Sequence, residues 1–387
     1  MSSIETSDSA KRAQSESIVR SSSTNTGHLP PASIPNNVVP PRIIAVNVPP
    51  REKGAPKVKD PDGNCVWFTF IPTKEKLFSV PNFPEKVPTP LQTNGVAIQP
   101  AGHMGLGLFA TKTFERGDLI FAERPILVVP EQISLLCGEK LARMDPSRDR
   151  ALMLKDVENV LRHGVDVLMD DDEKKELLSM NNSHLKDGSG PITGIIWTNG
   201  FQDSMDIDYA MIGRYSSKIN HSCVDNVEQD FDELSFCMKF FATRKINAGE
   251  QLFYSYCEQL KSSTERKIAL QPYDLVCQCI ACVNATHASD TLRKHVVTLV
   301  KHLQDRGEEL QAQGDLSEDA LKPFLSLKER MEKDGLDTHK TYTLLMTTIA
   351  GIVGKLKEKP TDTRVLDCKR ALEWAISFPQ RRLEHGW

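Results

Sequence analysis

The sequence predicts an α+β fold, because short strand-like stretches flank a helical segment and a long helical region follows. Residues 65–129 and 191–257 alternate apolar residues in short runs bounded by turn residues, which is typical of strands. Residues 131–190 and the chain beyond Asp290 repeat apolar residues at helical spacing. Strands this short and irregular favour a β-rich domain with a helical insert over a parallel βαβ sheet.

The composition indicates a folded chain of two or three units. It has 387 residues, of which 39% are hydrophobic and 26% charged, and a formal net charge of −4. This balance argues against direct nucleic-acid binding, which favours a basic excess. We expect no membrane association, since no apolar run approaches the ~20 residues of a span. The first residues hold no apolar secretory signal, so we expect the protein in the nucleus, the cytoplasm or both.

Residues 1–60 are predicted to form a disordered N-terminal arm. The first forty residues contain ten Ser and no periodic apolar pattern, so they bury too little apolar surface to offset the entropy of ordering. Nuclear import through Lys11 and Arg12 is one hypothesis for this arm. A solvated tail explains the same residues without it.

Three strands are expected in the first β-rich stretch, at residues 65–71, 107–111 and 119–129. Pro125 interrupts the third, which predicts an edge strand or a bend there. In the second stretch, strands are expected around three apolar runs: Ile192, Ile195 and Ile196; Phe236, Met238 and Phe240; and Leu252, Tyr254 and Tyr256.

The helical insert is bounded by capping residues. Asp145 and Pro146 predict the start of one helix, and Gly164 predicts its end. The acidic run Asp170–Glu173 predicts the start of another, because negative charge is favourable at a helix N-terminus.

Residues 290–387 predict an all-helical C-terminal domain. Further helices are expected near residues 316–334, 338–357 and 362–378, each ending near a Gly or Pro. One face of the first helix is formed by Leu292, Val296, Leu299, Val300 and Leu303.

Two motifs contain glycine turns that precede strands. Gly102 to Ala110 holds three glycines that let backbone groups approach a ligand. It is not a dinucleotide fingerprint, because the apolar residues after Gly107 favour a strand where that motif needs a helix. Gly249 to Cys257 is the other, and it ends in two tyrosines. Taken singly, the first motif is better explained by a plain tight turn and the second by a core tyrosine.

Two further motifs contain metal-ligating side chains. Asn220-His221-Ser222-Cys223 is unusual as a tetrapeptide, although a polar turn would also explain it. Cys277, Cys279 and Cys282 place three thiols within six residues, which suits a tetrahedral zinc site. The fourth ligand is open between Cys223, Cys237 and Cys257. Buried free thiols are the alternative, but nine cysteines in a chain without an export signal favour metal binding.

The four motifs, in this order, resemble the SET-domain protein methyltransferases with a post-SET zinc motif. Gly117–Ile120 before Glu123 fits the first SET strands, and Arg266, Leu270 and Tyr273 fit the helix before the thiols. The resemblance covers about residues 97–283. It implies a SET domain at 95–257 with a pseudoknot and the insert at 131–190, then a zinc-binding post-SET segment at 258–285.

Within that family, the chain is most similar to the SET-and-MYND proteins and their fungal relatives, which share the helical insert and C-terminal helices. We expect no MYND finger, because residues 131–198 hold only Cys137. Asp225 replaces a usual Pro, and Gln251 replaces a common Glu at a position expected to be exposed.

The resemblance also implies site residues. Tyr256 is the expected catalytic residue at the methyl-transfer site. The expected S-adenosylmethionine contacts are Met104, Gly105, Leu106, Gly107, Asn199, Asn220, His221 and Tyr256. The expected ligands of a structural zinc are Cys223, Cys277, Cys279 and Cys282. Weaker candidates for an aromatic wall around the substrate lysine are Phe201, Tyr215 and Phe253.

These residues imply a protein-lysine methyltransferase, which we expect to be a monomer. Its substrate is a protein lysine, histone or non-histone, with a basic tail as one candidate. The alternatives are a catalytically silent SET-fold module that binds partners through its C-terminal helices, and a zinc adaptor unrelated to methylation.

Overall fold

A computed structural model describes residues 20–21, 43–51, 59–88, 95–137, 149–314 and 316–357. The architecture is α+β, as predicted. The strands are β1 Arg20–Ser21, β2 Ile43–Val48, β3 Cys65–Phe70, β4 Val96–Pro100, β5 Leu106–Ala110, β6 Leu119–Glu123, β7 Leu127–Pro130, β8 Phe201–Ser204, β9 Asp208–Ile212, β10 Asn220–His221, β11 Val227–Asp232, β12 Cys237–Ala242 and β13 Phe253–Tyr254. The helices are α1 Ile71–Phe78, α2 Arg150–Leu168, α3 Asp171–Leu178, α4 Pro191–Asn199, α5 Ser263–Ala269, α6 Ile280–Val283, α7 His287–Gln313, α8 Lys322–Lys333 and α9 Lys340–Val353.

The strands form one large sheet and three small ones. The six-stranded sheet has the order β1-β8-β9-β7-β3-β2, and a three-stranded sheet has the order β11-β12-β6. β4 pairs with β5, and β10 pairs with β13. Helices α2 and α4 contribute to an apolar core with one face of the large sheet, and a second core lies between the sheets. The β10–β13 pair lies beside this second core, which supplies a rigid base for the candidate site.

Part of the predicted disordered arm is a strand. β2 pairs with β3 over all six residues, and Val48 is fully buried. The prediction for residues 1–60 is therefore wrong here, because the apolar run Ile-Ile-Ala-Val interrupts the Ser-rich and Pro-rich composition and has a sheet edge to join. Residues 1–19 and 22–42 lie outside the described residues.

The isoleucines before Trp197 lie in a helix, not in the predicted strand. Ile192, Ile195 and Ile196 are spaced i, i+3 and i+4, which places all three on the buried face of α4. Pro191 occupies the first turn, where its missing N–H costs nothing. The Glu158 carboxylate accepts hydrogen bonds from the backbone N–H groups of Ile192 and Thr193, so a neighbouring helix caps this one.

Gly164 lies within helix α2 and does not end it. A Cβ at this position would come within 2.4 Å of the Phe68 ring, so the glycine allows α2 to pack closely on β3. The helix continues to Leu168. The predicted start at Asp145 and Pro146 lies outside the described residues.

Two other local predictions are confirmed. Asp170 caps α3 by accepting a hydrogen bond from the backbone N–H of Glu173, whose side chain accepts one from the Asp170 N–H in return. The chain bends around Pro125 between β6 and β7, and β6 is an edge strand.

The C-terminal helices pack around their own apolar core and are fastened to the preceding domain by a buried guanidinium. α7, α8 and α9 follow the predicted segments, whereas the helix predicted at residues 362–378 lies outside the described part of the chain. Arg293 on α7 donates to the carbonyls of Gln259 and Asp334. In the described part of the chain, no helix combines the length and apolar character of a membrane span.

His339 at the start of α9 predicts a pH-dependent stability. Its Nδ1 accepts a hydrogen bond from the Thr341 N–H, and burial, with the nearby positive charge of Lys340, lowers its pKa to about 4. An unfolded chain with a histidine pKa of about 6.5 takes up the proton first as pH falls. The stabilisation is therefore complete above about pH 6.5 and is lost as pH falls toward the folded-state pKa of about 4.

The free energy of unfolding falls when the pH is lowered from about 7 to about 5. We expect this fall to be about 2 kcal/mol smaller in His339→Asn, which retains a capping side chain, than in the wild type. Denaturant unfolding at both values measures it. His302→Asn, at an exposed position, is the control and should leave the loss unchanged. Equal losses in the wild type and His339→Asn would contradict the assignment.

Candidate active site and thiol cluster

The candidate site is assembled where two distant segments run parallel. In β10 and β13, Asn220 pairs with Phe253 and His221 with Tyr254. The pairing extends beyond the strands, because Ser222 N–H donates to the Tyr254 carbonyl and Asn226 N–H to the Phe253 carbonyl. The Asn-His-Ser-Cys and Gly-Glu-Tyr motifs are therefore side by side.

Asn226 fastens these segments through its side chain. Its Nδ2 donates to the Gln251 carbonyl at 2.9 Å, and its Oδ1 accepts from the Phe253 N–H at 2.7 Å. The residue is fully buried, so both bonds are shielded from water. The sequence analysis did not assign this role. The sequence carries no local signal for it, because both partners lie at least 25 positions away.

The glycine-rich turn reaches the same place. Asn220 Nδ2 donates to the Leu106 carbonyl at 3.0 Å, which ties β10 to the start of β5. Gly105 has φ of 75° and ψ of −120°, and a Cβ there would meet no atom within 4 Å. The backbone at Gly105 thus borders open space next to the turn that Asn220 contacts, as a ligand-binding turn requires.

Gln251 is not at the exposed position that the sequence suggested. Its amide lies against the backbone of the turn, since a Cβ on Gly107 would be 2.5 Å from Gln251 Nε2. The residue is half-buried and follows Glu250, whose carbonyl accepts the Ala110 N–H. The alternation of buried and exposed residues that a strand produces does not extend to Gln251, because β13 contains only two paired residues.

The His221 ring is held by the protein at both nitrogens. Nδ1 accepts a hydrogen bond from the Tyr256 N–H at 2.9 Å, and Nε2 lies 3.3 Å from the Cys223 sulfur. The first bond places the proton of a neutral imidazole on Nε2, which therefore donates to the sulfur. Only the backbone of His221 remains to contact the predicted cofactor.

Tyr256 packs against this ring. Its hydroxyl donates to the Ile219 carbonyl at 2.6 Å, and its ring packs 5.2 Å from His221 and 5.0 Å from Tyr273. Because the phenol proton is engaged by this carbonyl, any further hydrogen bond at the hydroxyl would be accepted by its oxygen. The Tyr256 oxygen and the Asn220 side chain thus flank one short piece of backbone.

Asn199 and Phe201 are buried, whereas the other two aromatic candidates are half-buried. Asn199 is 1% exposed, and its Nδ2 donates to the Asn181 and Ile195 carbonyls, so only its oxygen is left for a cofactor. Phe201 is fully buried against Phe240 and Tyr254, in the core and not in a channel wall. Tyr215 and Phe253 are half-buried.

Four sulfur atoms form a compact cluster at the far side of His221. Those of Cys223, Cys277, Cys279 and Cys282 all lie within 4.8 Å of one another. Cys223 comes from the Asn-His-Ser-Cys motif, and the other three from the loop and short helix after α5. Four thiolates in this arrangement suit tetrahedral zinc, and Cys237 lies elsewhere in the core.

The clustered thiols shift one another's pKa values in opposite directions. Hydrogen bonding to Cys223 and Cys277 lowers the pKa of Cys282 to about 6. Hydrogen bonding to the other three thiols lowers the pKa of Cys279, whereas the pKa of Cys277 is raised. Hydrogen bonding to Cys257 and the other thiols raises the pKa of Cys223, because its ionisation follows theirs. Four thiolates together would need compensating positive charge.

Arg266, which the sequence analysis placed only in a helix, supplies part of that charge. Its Nη2 lies 3.8 Å from the Cys282 sulfur and donates to the Ala281 carbonyl. Burial lowers the pKa of Arg266, but the Cys223 and Cys282 sulfurs outweigh burial and the net pKa is raised. The guanidinium therefore stays charged beside the thiols.

Comparisons with known proteins agree with this geometry. Residues 105–257 match the SET domain family. The histone-lysine N-methyltransferase set5 of Schizosaccharomyces pombe is 26% identical over 50% of this chain and 52% of that protein. The protein-lysine N-trimethyltransferases SMYD5 of Homo sapiens and Danio rerio are 38% and 35% identical over shorter segments, 16% and 19% of each chain. The chain thus spans about half the length of the yeast relative it matches.

Substituting Asn226 tests the fastening of the two segments. Asn226→Asp replaces the donor to the Gln251 carbonyl with a carboxylate oxygen, which leaves two acceptors facing each other. We expect a loss of about 2–4 kcal/mol in the free energy of unfolding, measured by denaturant titration. Asn247→Asp, an exposed position nearby, is the matched control and should change it by less than about 0.5 kcal/mol. Similar losses in both variants would contradict this role.

Proposed function

We propose that this chain, whose residues 105–257 form a SET domain, is a protein-lysine N-methyltransferase that uses S-adenosylmethionine. The observation that supports it best is the meeting of the Leu106 turn, Asn220 and Tyr256 around the Ile219–Asn220 backbone. The same three elements carry cofactor and substrate functions in the family that the motifs resemble. The relatives named above as lysine methyltransferases support the same activity.

The residues around Gly105 fit the cofactor. When bound, S-adenosylmethionine supplies a methyl group on a positively charged sulfur. Met104, Gly105, Leu106 and Gly107 would hold it through backbone groups, since the flank of Gly105 is open. Asn220 and the His221 backbone would complete the site, with the Asn199 oxygen as a further contact.

Tyr256 would orient the substrate amine. Its proton is engaged by the Ile219 carbonyl, so the oxygen accepts a hydrogen bond from an incoming N–H. A free phenol has a pKa of about 10, which makes this acceptor role more natural than that of an obligate base. Fixing the amine in line with the methyl group can contribute on the order of 7–11 kcal/mol to catalysis.

The substrate lysine must be neutral to react. Removing its amine from water disfavours the ammonium form, and a nearby positive charge adds to this effect. Both lower the lysine pKa at the site. Tyr215 and Phe253 are the remaining candidates for the apolar wall that would exclude water, since Phe201 belongs to the core.

The thiol cluster would hold a structural zinc ion. Cys223, Cys277, Cys279 and Cys282 would fill four positions, which leaves none for a substrate. Zinc would join the segment after α5 to the β10 strand. The wall formed by Tyr273 would then be fixed against Tyr256.

The proposed substrate is a lysine in a protein, histone or non-histone, with a basic tail as the simplest partner for a chain of net charge −4. We propose a monomer that acts in the nucleus or the cytoplasm. Labelled methyl transfer to a whole-cell extract, followed by mass spectrometry, would identify the protein and the modified side chain. Label on arginine or carboxylate side chains would overturn the proposal.

Removing the Tyr256 hydroxyl should separate chemistry from binding. We expect Tyr256→Phe to lower the methyl-transfer rate by about 10²-fold or more, because the amine loses its orienting acceptor. Cofactor affinity, measured by calorimetry, should change by less than about threefold. Tyr342→Phe in α9 is the control and should retain the wild-type rate. Cofactor binding without any transfer by the wild type would favour the silent-module alternative.

Removing the metal should open the cluster. We expect about one zinc per chain, and treatment with a chelator should speed hydrogen exchange at residues 270–283 while leaving α2 and β9 unchanged. Cys279→Ser should lower zinc content, and Cys137→Ser, away from the cluster, should not. Full zinc content in Cys279→Ser, or unchanged exchange in the metal-free protein, would count against the zinc site.

A further inference from the structure

A fifth sulfur, which the proposed zinc site does not use, lies beside the thiol cluster. Cys257 lies with His221 and Cys223 in a second group whose ligand atoms are all within 4.8 Å of one another. Cys257 is 8% exposed and Cys223 is fully buried. Cys223 therefore belongs to both groups, and it is the sulfur that Cys257 can reach.

The second group is not suited to a metal of its own. His221 Nδ1 accepts the Tyr256 N–H, so its other nitrogen carries the proton and points that proton at the Cys223 sulfur. A protonated nitrogen has no lone pair for a metal. Cys257 is thus a thiol outside a complete tetrahedral set, next to one of its four members.

We propose that Cys257 is an oxidative modification site, at which a hydroperoxide drives formation of a Cys257–Cys223 disulfide and release of the metal. The inference rests on the proposed zinc site, and it does not depend on methyl transfer. In this proposal the fifth thiol, and none of the three half-exposed ligands, is the partner of Cys223 in the disulfide.

The hydroperoxide is the oxidant, and the disulfide forms in two reactions. The Cys257 sulfur attacks the peroxide, an S–O bond forms, the O–O bond breaks, and the leaving alkoxide or hydroxide takes the thiol proton. The Cys223 thiolate then attacks the Cys257 sulfur. An S–S bond forms, the S–O bond breaks, and the leaving hydroxide takes a proton from the solvent to become water. Two sulfurs lose two electrons in total, and one peroxide accepts them.

The metal would be released because Cys223, one of its four proposed ligands, becomes part of the disulfide. Cys223 is the ligand contributed by the β10 segment, whereas Cys277, Cys279 and Cys282 come from a single stretch of six residues. Loss of Cys223 leaves three ligands and no link between the segments. Because Cys257 follows Tyr256 directly, the disulfide would also change the backbone that carries the proposed catalytic phenol.

The burial of Cys257 determines which oxidants reach it. Cys277, Cys279 and Cys282 are half-exposed, whereas Cys223 and Cys257 are buried. A small peroxide can enter where a bulky disulfide reagent cannot. Hydrogen peroxide should therefore release zinc from the holoprotein at least about tenfold faster than an equal concentration of oxidised glutathione.

The test uses the full-length, zinc-loaded protein and hydrogen peroxide, with a metallochromic dye to follow zinc and non-reducing peptide mapping by mass spectrometry. We expect the Cys223–Cys257 disulfide to appear at the rate of zinc release, and dithiothreitol with added zinc to reverse both. Cys257→Ser should keep its zinc and release it at least about tenfold more slowly. Cys137→Ser, whose thiol is equally buried at 9% exposure, should behave as the wild type.

Several outcomes would overturn the inference. Disulfides confined to Cys277, Cys279 and Cys282, or unchanged release from Cys257→Ser, would show that the fifth thiol is not the capturing group. Loss of zinc from untreated Cys257→Ser would make Cys257 a ligand. Peptide mapping of the wild type decides the point even if this variant does not fold. Methyl transfer measured on the untreated sample tests the proposed function separately.

Discussion

The His221 imidazole connects the two halves of the candidate site, and the arrangement of both halves depends on it. One nitrogen accepts from the backbone of Tyr256, and the other donates to the sulfur of Cys223. A neutral imidazole has one donor and one acceptor, so this geometry uses its full hydrogen-bonding capacity. A change in the charge on that sulfur therefore alters the hydrogen bond that positions the Tyr256 backbone. The phenol and the thiol cluster are parts of one polar network.

Two other buried ionisable groups stabilise irregular backbone near this network. The Glu123 carboxylate accepts from the N–H groups of Tyr215 and Ser216, at the loop that leads to Asn220. Burial raises the pKa of Glu123, and those hydrogen bonds oppose the shift. Arg266 donates to two carbonyls on the other side of the site. Short strands expose many unpaired backbone groups, and buried charged side chains satisfy them where no sheet continues.

The candidate site could be predicted from the sequence better than the elements around it. Its four motifs can be recognised by their composition and order: the glycine-rich turn, Asn-His-Ser-Cys, the tyrosine strand and the thiols. The structure brings the Gly105 turn, Asn220, Tyr256 and the thiols together. The helix at Ile192 was mistaken for a strand because three isoleucines satisfy β propensity, while the spacing that makes them helical spans only five residues.

Other features depend on contacts that no local pattern contains. Gly164 is a residue type typical of a helix end. The structure explains the glycine by the ring of Phe68, which leaves no room for a side chain and lies nearly a hundred positions away in the sequence. The role of Asn226 becomes visible only when residues 220–226 lie beside 251–257. The amide of Asn199 is engaged by the carbonyl of Asn181, which limits the cofactor contact that the resemblance implied.

The Arg293 guanidinium connects the C-terminal helices to the segment that follows Tyr256. It joins α7 to the Gln259 carbonyl, three residues after Tyr256, and to the Asp334 carbonyl after α8. Through these two hydrogen bonds, the position of α7 and the position of the backbone after Tyr256 depend on each other. Substitutions that change the packing of these helices would therefore also shift the backbone beside the candidate site, although they replace none of its residues.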